Sequence, residues 1–221
     1  MLITLKFWKW LELKNLSFMI LMLQFCVIFG QQKVIVIDPG HGGKDSGVIG
    51  INGVQEKDVV LNVAKEILRL NKTILNNEFD IYLTRYKDTL ISLSDRSRLA
   101  KSIQADVFVS LHCNASQSDS RGMEVYVHNA KESETRIKES IAVGLSVLEE
   151  SSLKLGFKKR GIQFANFQVL RDDIPFCPSI LIEMGFVTNT DEADYFLKPK
   201  NIRATALAIL MGLFNCLNIG L

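Results

Sequence analysis

From Lys33 onward, short apolar runs alternate with longer stretches of helical period. Residues 34–37 (VIVI) are continuously apolar and read as a buried strand. Residues 56–76 place Val59, Val60, Val63, Ile67, Leu70 and Ile74 near helical spacing, which predicts an amphipathic helix. Residues 79–83 form a second strand, and Ser92 or Ser94 caps a helix running to about residue 104. Residues 107–111 are a third strand and 123–127 a fourth, introduced by Gly122. A helix follows over 132–152, with further strands at 167–170 and 180–182, the last bounded by Pro175 and Pro178. A short helix at 193–197 and an apolar helix at 202–217 close the chain. Alternation of this kind predicts a single α/β domain built on a mostly parallel twisted sheet with helices on both faces.

The N-terminus follows a different pattern. Lys6, Lys9 and Lys14 precede an apolar stretch over residues 16–30 that ends in Gly30. A basic region, a short apolar region and a small residue are the order of a secretory signal peptide. A spanning helix needs about 20 apolar residues, so an uncleaved anchor is the alternative. The expected organisation is therefore an export segment at 1–30 and one folded domain at 31–221, with no stable membrane insertion once the segment is removed.

Composition narrows the functional classes. The formal net charge of +2 over 221 residues, with no Lys/Arg cluster, gives nucleic acid nothing to bind. Hydrophobic residues at 48% and charged residues at 23% are an ordinary globular balance. Cys113, Cys177 and Cys216, left after removal of 1–30, are odd in number and widely spaced. That is no disulfide framework; they read as small buried hydrophobes.

Ligands of open α/β sheets gather beyond the carboxyl ends of the strands. Asp38 and His41 in "IDPGHGG", His112 after the third strand and Glu183 after 180–182 all fall there. Two histidines and a carboxylate converging from separate strands fit a catalytic zinc site, with three protein ligands and one open position. Asp38, Asp45, Glu56 and Glu183 are each candidates for that carboxylate on pattern alone. Cys113 adjoins His112, but neighbours along a strand point to opposite faces. If His112 faces the site, Asn114 shares its face and Cys113 does not.

The motifs "VIVIDPGHGGKDSGVIG", "QEKDVVLNVAKEI", "VFVSLHCNAS", "GMEVYV" and "PSILIEMGFVTN" follow one another along the chain. Together they resemble the successive signatures of the zinc-dependent N-acetylmuramoyl-L-alanine amidases, peptidoglycan hydrolases of the bacterial cell wall. The resemblance implies one zinc ion held by His41, Glu56 and His112, with Glu183 as the catalytic glutamate. It implies hydrolysis of the amide joining the lactyl group of N-acetylmuramic acid to L-alanine of the stem peptide. Glu183 would take a proton from the attacking water and deliver it to the departing amine. Asp38 then becomes a turn or supporting residue.

Asn114 and Arg171 are the candidate substrate contacts, while Arg85 and Arg96 are expected to brace loops through ion pairs. Glu124 either lines the groove or faces solvent, and His128 reads as a solvated loop residue. The 132–152 helix reads as an ordinary surface helix, so the site is expected to be open, with a protein activator conceivable but not required. Export implies action in the periplasm or cell envelope on peptidoglycan. The rival readings are an inactive wall-binding or regulatory protein, and another zinc hydrolase such as a wall-sugar deacetylase. Presence of all four residues, His41, Glu56, His112 and Glu183, speaks against the first.

Overall fold

The computed structural model describes Phe18 and residues 32–129 and 133–219. The chain divides into two units, 1–32 and 33–221, and the second is described here; the export segment expected at 1–30 lies outside the described residues apart from Phe18. Among the described residues of this unit, six strands and six helices follow one another as β1 (Val34–Pro39), α1 (Glu56–Thr73), β2 (Asp80–Leu83), α2 (Leu93–Ser102), β3 (Val107–Asn114), β4 (Met123–Val127), α3 (Glu134–Leu155), β5 (Lys159–Phe164), α4 (Gln168–Asp173), β6 (Ser179–Phe186), α5 (Thr190–Phe196) and α6 (Pro199–Ile219). The strands form one sheet in the order β2-β1-β3-β6-β4-β5. The ladders β1–β2, β1–β3, β3–β6 and β4–β5 are parallel, and β4–β6 is antiparallel. This is the single α/β domain expected. β4 and β5 run opposite to the other four strands, so their beginnings meet the ends of β1, β3 and β6.

Alternation along each central strand sorts its side chains between two cores. Ile35, Ile37, Val107, Val109, Leu111, Cys113, Ile180, Ile182 and Met184 join the larger core, which holds α1, α3 and α6. Val36, Phe108 and Leu181 face the smaller core against α2 and α4. Two residues further along each of these strands the second face turns polar, at Asp38, Ser110 and Glu183. The helices on that side have only 10 and 6 residues. Their apolar cover stops at Val36, Phe108 and Leu181, and the polar end of the face begins there. α3 packs against α6, β4, β5 and β6 on the other face.

Two elements differ from the sequence expectation. Residues 167–170, read as a strand, begin the one-and-a-half-turn helix α4 with Phe167 as N-cap. Three apolar positions around Gln168 carry too little period to separate the two states, and Val169 and Leu170 are buried as helix neighbours. β5, unforeseen, is a sheet edge whose residues are mostly exposed, so no apolar run marks it. β3 and β6 also run further than read, so His112 and Glu183 sit within strands rather than after them.

Candidate functional site

His41, Glu56 and His112 come from three elements and converge. His41 lies in the loop after β1, Glu56 opens α1, and His112 sits near the end of β3. Each offers one ligand atom, and those atoms all lie within 4.8 Å of one another. His112 Nδ1 is 2.9 Å and His41 Nε2 3.1 Å from the same Glu56 oxygen, Oε1. That oxygen also accepts from the Cys113 backbone N–H at 3.0 Å, and Oε2 accepts from Val48 N–H at 2.9 Å. Glu56 is 2% exposed, yet its carboxyl is held well below the usual carboxylate range. Burial pushes the other way, and the hydrogen bonds and charges of the two histidines outweigh it.

The donor chemistry of His41 tests whether a cation fits. Its Nδ1 faces Asp45 Oδ2 at 2.9 Å while Nε2 faces Glu56. A neutral imidazole has one N–H, so it cannot satisfy two carboxylates at once. Protonation is one resolution, and the pKa reflects it: burial lowers it, the Glu56 and Asp45 carboxylates raise it, and it stands at about 8. A cation between Nε2, His112 Nδ1 and Glu56 is the other, with Nδ1–H kept on Asp45 as an orienting partner. The residues fit such an ion.

The loop carrying His41 is held by its backbone. His41 has φ 57, in the left-handed region that costs a non-glycine residue about 1–3 kcal/mol. Arg96, 2% exposed, fixes it by donating from Nη1 to Asp38 Oδ1 (2.6 Å) and Pro39 O (2.8 Å), and from Nη2 to His41 O (2.8 Å). Thr84 and Ser110 hydroxyls fill the remaining Asp38 positions at 2.6 and 2.8 Å. Asp38 is thus a support and not a ligand. Arg85 braces through carbonyls rather than an ion pair, joining Pro39 O and Gly40 O to Lys57 O of α1. Gly40 has no room for a side chain: a Cβ there would sit inside contact distance of the His112 ring.

Glu183 stands beside this cluster. It pairs in register with His112 on one side and with Glu124 on the other. Its Oε2 is buried without a hydrogen-bond partner among the described residues. Burial, with the charges of Glu56 and Glu124 added and the histidines opposing, pushes its pKa up to about 7. A carboxylic acid of that pKa can both accept and give a proton near neutrality.

Glu124 is 5% exposed and faces the site, which settles the two readings of it. It accepts from Asn114 Nδ2 (2.6 Å), Tyr126 OH (3.0 Å) and Arg160 Nε (2.7 Å). Arg160 was invisible to sequence reasoning because β5 was. Arg171 is placed on α4, where it donates to Asn166 Oδ1 at 2.9 Å and lies 3.6 Å from Asp172. His128 is half-buried with Nδ1 3.2 Å from Ala165 O, and so is not the solvated residue expected. Cys113 is buried on the opposite face, and burial with three nearby glutamates drives its thiol well above the usual range, which rules it out as a nucleophile. Cys177 is buried too, and Cys216 is partly so. A cavity of about 700 Å³ opens on His41 and His112, with Leu90, Leu93 and Val169 in its wall.

Residues 35–215 match the family model of N-acetylmuramoyl-L-alanine amidase. The chain belongs to that family. The endolysin of Bacillus phage SPP1 is 34% identical to this amidase over 189 residues, covering 85% of the chain and 67% of the endolysin. The sporulation-specific N-acetylmuramoyl-L-alanine amidase of Bacillus subtilis (strain 168) is 34% identical over 188 residues, 84% of this chain and 68% of its own length. Among solved structures, an N-acetylmuramoyl-L-alanine amidase of Clostridium difficile 630 superposes with TM-score 0.76 at 32% identity, covering 86% of this chain and 98% of that one. An amidase of Clostridioides difficile solved with a lipoprotein has TM-score 0.75 at 24% identity, a likeness of fold.

Proposed function

We propose that this amidase uses one zinc ion, held by His41, Glu56 and His112, to cleave the bond between N-acetylmuramic acid and L-alanine in peptidoglycan. Glu183 acts as general base and then general acid. The observation that carries the reading is Glu183 Oε2, buried and unpartnered beside three groups that could hold a cation. A buried carboxyl oxygen without a partner costs free energy unless a bound group answers it. The ion, when bound, supplies Lewis acidity to the amide carbonyl and acidifies water.

The chain's own residues do the rest. Asp45 holds the His41 ring through Nδ1. Glu183 accepts the proton of the attacking water and donates it to the L-alanine nitrogen, which would otherwise leave as an unstable anion. Glu124 fixes the Asn114 amide on the same face, ready to meet the substrate.

The surroundings support an accessible site. α3 packs on the larger core, the face away from Glu183, which supports a site open without an activator. Among the described residues no helix is long and apolar enough to cross a membrane. The basic and apolar 1–30 segment supports export to the periplasm or cell envelope, where the wall is.

Purified, zinc-loaded protein given isolated sacculi tests this. Mass analysis should find free stem peptides with L-alanine at the N-terminus. Lost acetyl groups with intact stems would mean a deacetylase, and no release without an added partner would overturn the open site.

A further inference from the structure

Glu183 gives the groove a direction. The group that protonates the leaving nitrogen must reach the amine side of the scissile bond, while the carbonyl faces His41, Glu56 and His112. The line from those three residues to Glu183 therefore runs from the acyl side to the peptide side. In the sheet that line continues: His112 pairs with Glu183, Glu183 with Glu124, and Glu124 with Gly161. Registered partners leave a sheet on one face, with strands about 4.8 Å apart. The stem peptide accordingly lies over β4 and β5, and the muramic acid lies toward the cavity lined by Leu90, Leu93 and Val169.

Arg160 stands at the peptide end of this row. Its Nε is spent on Glu124 Oε2 at 2.7 Å, and its guanidinium lies over the Phe186 ring, 4.9 Å from the centroid. Glu124 is filled from its other side by Asn114 and Tyr126. Among the described residues neither Nη of Arg160 has a hydrogen-bond partner, and the side chain remains 31% exposed. A fixed cation with its two-pronged end free is a receptor for a carboxylate.

The stem peptide carries one at the right place. Its second residue is D-glutamate joined through the γ-carboxyl, which leaves the α-carboxylate free or, in isoglutamine, amidated. From the scissile nitrogen to that carbon an extended chain spans about 7 Å. Two strand spacings separate Glu183 from β5, about 10 Å, and the arginine side chain leans back over part of that gap toward Glu124.

We propose that Arg160 receives the α-carboxylate of the second stem residue and makes this amidase prefer unamidated stems. The inference rests on the amidase reading above. A carboxylate accepts both Nη–H groups, whereas a carboxamide offers one oxygen and turns its own N–H donors toward the cation.

Two soluble muramoyl-peptides, differing only in D-glutamate or D-isoglutamine, supply the test. Wild type should cleave the acid form with kcat/KM at least tenfold higher. Arg160→Gln should bring that ratio close to one, through a rise in KM for the acid form. Arg160→Lys, which keeps the charge and loses the fork, should fall between. Calorimetry with the dipeptide L-alanyl-γ-D-glutamate gives a second readout: binding should weaken about tenfold in Arg160→Gln, whose melting curve and metal content are measured alongside. Equal cleavage of both substrates by wild type, or a preference that survives Arg160→Gln, would overturn the role of Arg160 and leave the amidase standing. Cleavage of neither substrate would refute the amidase reading itself.

Discussion

His112 on β3 and Glu183 on β6 are partners in one parallel ladder, so an imidazole and an acid leave the sheet side by side on the same face. Their proximity is therefore a property of backbone register and not of loop conformation. One residue of slip would send either side chain into the larger core. The proposed proton transfer by Glu183 depends on this adjacency.

Glu183→Gln keeps shape and removes the titrating group. Cleavage of sacculi should fall about 10²–10⁴-fold, the usual range for a lost general acid–base. Bound zinc, measured by elemental analysis, should stay near one per chain because Glu183 is outside the set of three candidate ligands. Wild-type rates in the variant would exclude the role.

Glu56→Gln should do the opposite to metal content. Glu56 Oε1 is the point where His41, His112 and the Cys113 N–H meet, so a neutral amide there loses the charge that holds a cation. Zinc affinity should drop by more than the roughly 10–100-fold seen when a group that only orients a ligand is removed. Chelation should lower the melting temperature of wild type and leave that of the variant unmoved.

Arg96→Met would strand Asp38, which is 1% exposed, and take this donor from the Ile91 and His41 carbonyls. Breaking such a buried pair from one side costs about 3–5 kcal/mol. Denaturant unfolding should show that loss. Adding Asp38→Asn should restore part of it; a fully additive double variant would mean that the pair is not coupled.

Asp173 supplies the pH test. It ends α4 and is fully buried against α2, with Oδ2 on the Ser97 hydroxyl and Oδ1 unpartnered among the described residues. Burial, with Asp38 and Asp172 adding and Ser97 opposing, raises its pKa from 3.8 to about 7. The folded state then binds this proton more tightly than the unfolded state, so stability is lost as pH rises from about 4 to 7. Asp173→Asn removes that dependence. Its stability relative to wild type should improve by about 2–3 kcal/mol between pH 5 and pH 8. A difference that is flat with pH would place the carboxyl in a solvated setting.

His41, His112 and Glu183 were legible as candidates because short motifs carry them near strand ends, where an α/β sheet gathers its ligands. His41 betrays itself through the glycines around it, and the structure puts the α2 cap at Ser92, one of the two serines the sequence offers. Arg160 and the role of Glu124 were not legible, for a physical reason. β5 is an edge strand with Gly161 at φ 91 and exposed ends, so neither alternation nor an apolar run announces it. The choice of Glu56 over Asp38 also lay beyond pattern: both are buried acids near His41, and only the arginine on Asp38 separates them. Residues 167–170 show the converse failure, where three apolar positions at a helix start mimic a strand.

The reversed direction of β4 and β5 divides the borders of the groove by origin. On the ligand side the chain departs from strands β1 and β3; on the far side, segments 115–122 and 156–158 bring it in to β4 and β5. Insertions or exchanges in those two incoming segments can remodel the outer floor while His41, Glu56 and His112 keep their places. Selectivity for wall chemistry can thus diverge in such a scaffold without reopening the question of how it grips its ion.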